Sequence, residues 1–128
     1  RTNKAGAEFL ASHVNKDGYD VEFIEVPNST LHLTTVCSSP RKGTIIAAEG
    51  HLKENQISKF AEEIIWIPNN ESYASNTIGY SNDRLIIAAG FSKTKNILQN
   101  EGFKLMSVDM APIMQADGSL TCLSVYTS

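Results

Sequence analysis

An internal repeat limits the folds open to this chain more than any other feature of its sequence. The string TIIAAEG at 44–50 returns as LIIAAG at 85–90, with Ile45 and Ile86 separated by 41 positions. Independently, KDGYDVEFIEV at 16–26 resembles NEGFKLMSV at 100–108, and their glycines Gly18 and Gly102 lie 84 positions apart, two steps of the same period. Repeats of this length mark propellers, solenoids and related modular architectures. A chain of 128 residues holds about three such units.

Each unit reads as strand, helix, strand. Ile57, Phe60, Ala61, Ile64 and Ile65 fall on one apolar stripe, predicting a helix in the middle unit. AGAEFLASHV at 5–14 and SKTKNILQN at 92–100 predict two more, each followed by a glycine suited to a left-handed exit. Strands are expected at 21–26, 31–37, 44–48, 63–67, 76–80, 84–89, 103–108 and 119–126, with turns at VPNST (26–30) and IPNNES (67–72). No linker divides the chain, so residues 1–128 are expected to form one α/β domain. Three units arranged radially leave sheet edges unpaired. With an opening RTNKAG that lacks an initiating Met, this leads us to expect part of a larger closed structure.

Composition narrows the function classes. Eleven basic and 14 acidic residues give a formal charge of −3, and the densest basic cluster is Arg41–Lys42, which argues against a nucleic-acid partner. No apolar run approaches the ~20 residues that span a bilayer, and no signal-peptide pattern is present. Cys37 and Cys122 are 85 positions apart, with no CxxC or structural zinc spacing, so a reducing, cytoplasmic setting is expected. His13, Lys42, His51 and Arg41 read as surface or turn polarity, Trp66 as core, and Cys37 as a packed, unreactive thiol.

Two residues stand out as chemistry. Cys122 lies in LTCLSVY, where alternation sets Leu120, Cys122, Ser124 and Tyr126 on one face and Thr121, Leu123 and Val125 on the other. His32 lies in TLHLTTVC, sharing a face with Thr34 and Val36. A thiol with a free pKa of ~8.5 generally needs a cationic neighbour to react as thiolate at neutral pH. An imidazole can supply that charge and then serve as acid and base. Spacing alone does not bring positions 32 and 122 together, and core filler remains the competing reading for both.

Four stretches resemble the dimethylarginine dimethylaminohydrolases of the pentein superfamily: RTNKAGAEFLA, LHLTTVC, ESYASNTIGY and DGSLTCLSV, in that family's order and across essentially the whole chain. The resemblance implies an α/β propeller of ββαβ modules around a central site, of which this chain would form about three of five. It implies that Cys122 is the nucleophile and His32 the general acid/base. It implies that Arg1 grips the substrate α-carboxylate and that the Ala116 backbone carbonyl meets its amino group. Asn76 reads as a structural position. The implied substrate is a small molecule, an N-methylated arginine, converted through a covalent Cys thiouronium to citrulline and a methylamine, without metal or other cofactor.

In that family the carboxylates that hold the guanidinium precede the RTN motif. Glu71 and Asp117, the nearest acidic candidates here, read as turn polarity, so the isolated chain is expected to be inactive. Three alternatives stay open. Another pentein activity, arginine deimination or amidino transfer, would use the same Cys and His. A non-catalytic partial propeller would pair through its open edges with itself or another subunit, the missing N-terminal part being a further expected partner. Metal capture by Cys37, His32 and Cys122 is the weakest.

Overall fold

The computed structural model describes residues 2–125, and the repeat appears in it as two sheets of the same construction. In the first, β1 (Cys37–Arg41) turns back as β2 (Thr44–Ala48), and β3 (Glu63–Ile67) then joins β2 in parallel, pairing Ile45 with Ile64 and Ala47 with Trp66. In the second, β4 (Ile78–Tyr80) and β5 (Arg84–Ala88) are antiparallel and β6 (Lys104–Val108) runs parallel to β5. A parallel neighbour requires a crossover. Helix α2 (Glu54–Ile57) with a 3₁₀ turn at Ser58–Phe60 provides the first, and α3 (Ser92–Asn100) the second. The two IIAA strings are therefore the central strands of successive ββαβ modules. The mixed α/β pentein-type architecture expected from the sequence is the one observed, with two complete ββαβ modules among the described residues where about three were expected.

Helix α1 (Lys4–Val14) precedes the modules and is capped by Asn3, whose Oδ1 accepts the Gly6 N–H at 2.8 Å. It buries none of its residues, leaving Phe9 and Leu10 exposed. Gly18 follows at φ +83 and Gly102 follows α3 at φ +86, so the similarity of the two glycine segments lies in their left-handed helix exits. Beyond Gly18 the expected strand at 21–26 does not form. Ile24 and Val26 still pack on the core, but no strand pairs with them among the described residues. Instead the Gln56 side-chain amide donates to Glu25 O and Lys59 bridges Glu22 at 2.7 Å.

The helical stripe expected over Ile57–Ile65 is also corrected. Only Ile57 lies in α2, whereas Ile64 and Ile65 belong to β3. Their run continues as Trp66 and Ile67, side chains that suit a pleated, half-buried surface, and β3 pairs along its whole length with β2. A short helix, α4 (Ala111–Gln115), follows β6 without having been anticipated; Pro112 sits in its first turn, where a missing N–H costs no hydrogen bond.

One apolar cluster joins the modules. Ile46, Ile67, Leu85, Ile87 and Leu98 are almost entirely buried, with Val36, Ile57, Ile65, Ala74 and Phe103 beside them. The modules meet where β1 approaches β4, so closely that a Cβ on Gly79 would lie 1.9 Å from the Pro40 carbonyl oxygen. Arg41, read from sequence as turn polarity, spans this seam. Its guanidinium bonds Glu63 at 3.2 Å and Asp83 at 2.9 Å and lies 4.6 Å from the Phe103 ring centroid. No helix among the described residues is long and apolar enough to cross a membrane.

The seam yields a prediction. Gly79→Ala forces backbone apart at a junction with no slack, so chemical unfolding will show a loss of about 3 kcal/mol or more. Gly90→Ala, at φ +94 with nothing within 4 Å of the added carbon, will cost about 1 kcal/mol, the strain of a left-handed alanine alone.

Candidate functional site

The segment ESYASN, residues 71–76, organises everything around the candidate thiol. It forms a 3₁₀ stretch at Asn69–Ser75 and is unusual in burying Glu71, Ser75 and Asn76, with Thr77 next to them. Buried polar groups are tolerated only when hydrogen-bonded, and each of these is. Ser75 Oγ donates to Ser72 O at 2.7 Å and lies 3.3 Å from Thr35 O. Thr77 Oγ1 shares a 2.7 Å bond with Ser38 Oγ, which also reaches Ser75 O. Tyr73 donates its hydroxyl to Gly118 O at 2.8 Å, and its ring stacks on Phe91 at 5.8 Å.

Asn76 makes the central connection. Its Oδ1 accepts the Thr121 N–H at 3.0 Å, and its Nδ2 donates to Thr34 O at 2.5 Å and to Thr121 Oγ1 at 2.9 Å. Thr34 is two residues from His32 and Thr121 is next to Cys122. One carboxamide thus ties the turn that carries the imidazole to the turn that carries the sulfur.

Neither candidate sits on a strand, contrary to the expectation for 31–37 and 119–126. His32 is extended and precedes a 3₁₀ turn at Leu33–Thr35, closed by Thr35 Oγ1 and Thr35 N, both donating to His32 O. Cys122 lies in a second 3₁₀ turn, Leu120–Leu123, closed by Cys122 N–H to Ser119 O and Ser124 Oγ to Leu120 O. Serine and threonine hydroxyls compete with ladder hydrogen bonds for nearby carbonyls, and here they win. Inside a 3₁₀ turn the two-face alternation read for Cys122 does not apply.

Both side chains are exposed. The Cys122 sulfur bonds Ser119 Oγ at 3.4 Å, and that hydroxyl, with the Ser119 backbone, holds the thiol below its ordinary pKa. The His32 ring makes no hydrogen bond among the described residues, so the two turns are brought together without a hydrogen bond between imidazole and sulfur. Ala116 follows α4, its N–H bonded to Ile113 O, ahead of Asp117 at φ +57. Arg1 lies outside the described residues, as does Tyr126. Cys37 is half-buried, and burial pushes its thiol up to about 11. Three His, Cys, Asp or Glu side chains able to share a metal do not occur together among the described residues.

Ser119 and Tyr73 are the site neighbours that sequence reading missed. The available signal was a serine three residues before the cysteine, a spacing that meets within a 3₁₀ turn but not along a strand. Glu71 has a different task. Its carboxylate accepts the Thr94 N–H and Oγ1–H at 2.7 Å each and the Lys93 N–H at 3.3 Å, closing the N-terminus of α3. Burial opposes its ionisation, but these bonds outweigh burial and hold the carboxyl below the usual range.

A carboxyl held low when folded contributes stability above its unfolded pKa of ~4.3 and loses it as pH falls through the lower folded value. Glu71→Gln will therefore lower the urea midpoint near neutral pH, and the gap to the parent will narrow as pH is taken down to about 3. A gap independent of pH would show that the carboxylate charge is not what closes the helix.

No protein-family model matches the chain. It is 30% identical over 125 residues to an N(G),N(G)-dimethylarginine dimethylaminohydrolase of Pseudomonas aeruginosa, covering 98% of this chain and 48% of the relative. A solved structure of the Pseudomonas aeruginosa enzyme, a cysteine-to-serine mutant complexed with citrulline, superposes with a TM-score of 0.82 at 29% identity, over 94% of this chain and 46% of that one. An amidinotransferase of Microseira wollei from the saxitoxin biosynthetic pathway also reaches a TM-score of 0.82, at 23% identity over 94% of this chain and 40% of that one, a likeness of fold. The chain spans about half the length of the relatives it matches.

Proposed function

Because this chain belongs to the dimethylarginine dimethylaminohydrolase family of penteins, we propose that it carries the nucleophile half of an amidine hydrolase acting on N-methylated arginine. The observation that carries this reading is the Asn76 clamp, which gathers the turns of His32 and Cys122 into one place. An exposed thiol held below its ordinary pKa suits a nucleophile. The half-buried Cys37, raised to about 11, does not.

In the proposed sequence the Cys122 thiolate attacks the guanidinium carbon, giving a tetrahedral adduct. As the adduct collapses, the C–N bond to the methylated nitrogen breaks and His32 gives that nitrogen its proton, releasing a methylamine and leaving an S-alkylthiouronium. Neutral His32 then takes a proton from water as the oxygen adds to the same carbon. Expulsion of the thiolate leaves the ureido group of citrulline. Arg1 would pair with the substrate carboxylate, a bidentate task for guanidinium, and the Ala116 carbonyl would accept from the substrate ammonium. No metal or other cofactor enters this scheme. Two unpaired cysteines fit a reducing, cytoplasmic setting.

The division of labour follows from the carboxylates. Glu71 is committed to α3, and Asp117 sits exposed on a positive-φ turn, where turn polarity accounts for it. The acidic groups would come from the part of the relatives that this chain does not span, and residues 1–128 alone would be inactive.

Purified chain given asymmetric dimethylarginine will release no citrulline. Combined with a polypeptide supplying the complementary half of the Pseudomonas enzyme, and with assembly checked by gel filtration, it will. In that complex Cys122→Ser will abolish the activity, and His32→Gln will lower it by roughly 10²–10⁴-fold. Citrulline from the chain alone, lost in Cys122→Ser, would overturn the division. An assembled but silent complex would overturn the hydrolase reading.

A further inference from the structure

The hydrogen bonds that Asn76 makes beneath Cys122 have a forced direction. The Thr121 N–H can only donate and the Thr34 carbonyl can only accept, so the Asn76 amide is fixed with Oδ1 toward the first and Nδ2 toward the second. Nδ2 has one further proton, and it faces Thr121 Oγ1 at 2.9 Å. That hydroxyl, already accepting, has its own proton to give, and Ser119 Oγ stands 3.4 Å away. Ser119, itself 4% exposed, lies 3.4 Å from the Cys122 sulfur, where its own proton can be given in turn.

We propose that Asn76, Thr121 and Ser119 form a one-way donor relay that stabilises the Cys122 thiolate within its own turn, without help from the imidazole. Ser119 touches the reacting sulfur, and Asn76 and Thr121 are positioning residues that act through it. A reversed relay would aim the Ser119 oxygen at the sulfur, and an oxygen lone pair favours a thiol proton over a bare anion.

The other ionisable groups around the sulfur do not substitute for this relay. Tyr73 raises no positive charge; its phenol is bonded to Gly118 O, and its ionisation is opposed by burial and then by the Cys122 charge. Glu71 faces α3, Asp109 closes on the Ala111 N–H before α4, and Asp117 is exposed. Among the described residues, His32 lies on the turn that the clamp joins to that of Cys122 and is the candidate for positive charge from that side.

The inference rests on reading Cys122 as the nucleophile, but its test needs no substrate. Thiolate absorbance and iodoacetamide labelling, mapped to the Cys122 peptide to separate it from Cys37, are followed against pH in the intact chain. Ser119→Ala will raise the Cys122 titration midpoint and slow labelling near neutral pH about threefold; a larger loss of thiolate is partly offset because a more basic sulfur is more nucleophilic. Ser119→Thr, which keeps the hydroxyl, will restore the parental midpoint. Thr121→Val, which cuts the link to Asn76, will also raise it, and His32→Ala will not. A midpoint unmoved by Ser119→Ala, or by Thr121→Val should the first variant not fold, overturns the relay. So does a midpoint that moves only with His32. A silent hydrolysis assay would leave this titration intact, and a flat titration would leave hydrolysis to be judged separately.

Discussion

The bidentate grip of one buried carboxamide decides the geometry of this chain's polar half. Asn76 is 2% exposed and uses donor and acceptor together, so it can be replaced neither by an acid nor by an apolar residue of similar size. The turns it joins have weak claims to their shape, each being a single 3₁₀ loop closed by one or two hydroxyls. Pinned to a common point they acquire a fixed relation, which neither would hold alone. Apolar packing sets the distance between the modules. The carboxamide sets the register of what lies on top of them.

A buried polar segment is costly to desolvate, and an apolar one would pack as well at lower expense. What residues 71–77 supply is discrimination among alternative arrangements. Glu71 fixes where α3 begins, Tyr73 fixes Gly118, Ser75 and Thr77 fix the start of β1 and the turn before it. Every one of these bonds joins segments at least 20 residues apart in the chain. Another long-range polar junction is Arg41, which holds Glu63 and Asp83 from two modules at once.

How much of this could be read in the sequence depended on which force wrote the signal. The period of the IIAA strings reports apolar burial, which repeats with the module, and the strands at 44–48 and 63–67 and the helix at 92–100 emerged at the positions expected. The apolar stripe from Ile57 to Ile65 misled because a four-residue helix and a five-residue strand, laid end to end, mimic one longer helix. At His32 and Cys122 the alternation of apolar residues was real, but local hydroxyl-to-carbonyl bonds outcompeted strand pairing. Ser119 left only its spacing of three from Cys122 as a sign, and the role of Thr121 was not legible, because its bonds to Asn76, 45 positions away, leave no periodic trace.

Placing His32 and Cys122 on turns rather than strands has a physical consequence. A strand residue presents its side chain to one face of a sheet, where a sulfur becomes buried and its ionisation opposed, as happens to Cys37 at the start of β1. A 3₁₀ turn brings the residue three positions earlier back against the same side chain, so a serine there can meet an exposed sulfur at the solvent boundary. Exposure then leaves the anion solvated, and the hydroxyl adds directed stabilisation on top. The two cysteines of this chain thus differ in ionisation because the backbone beneath them differs, Cys37 half-buried at a strand start and Cys122 exposed on its turn.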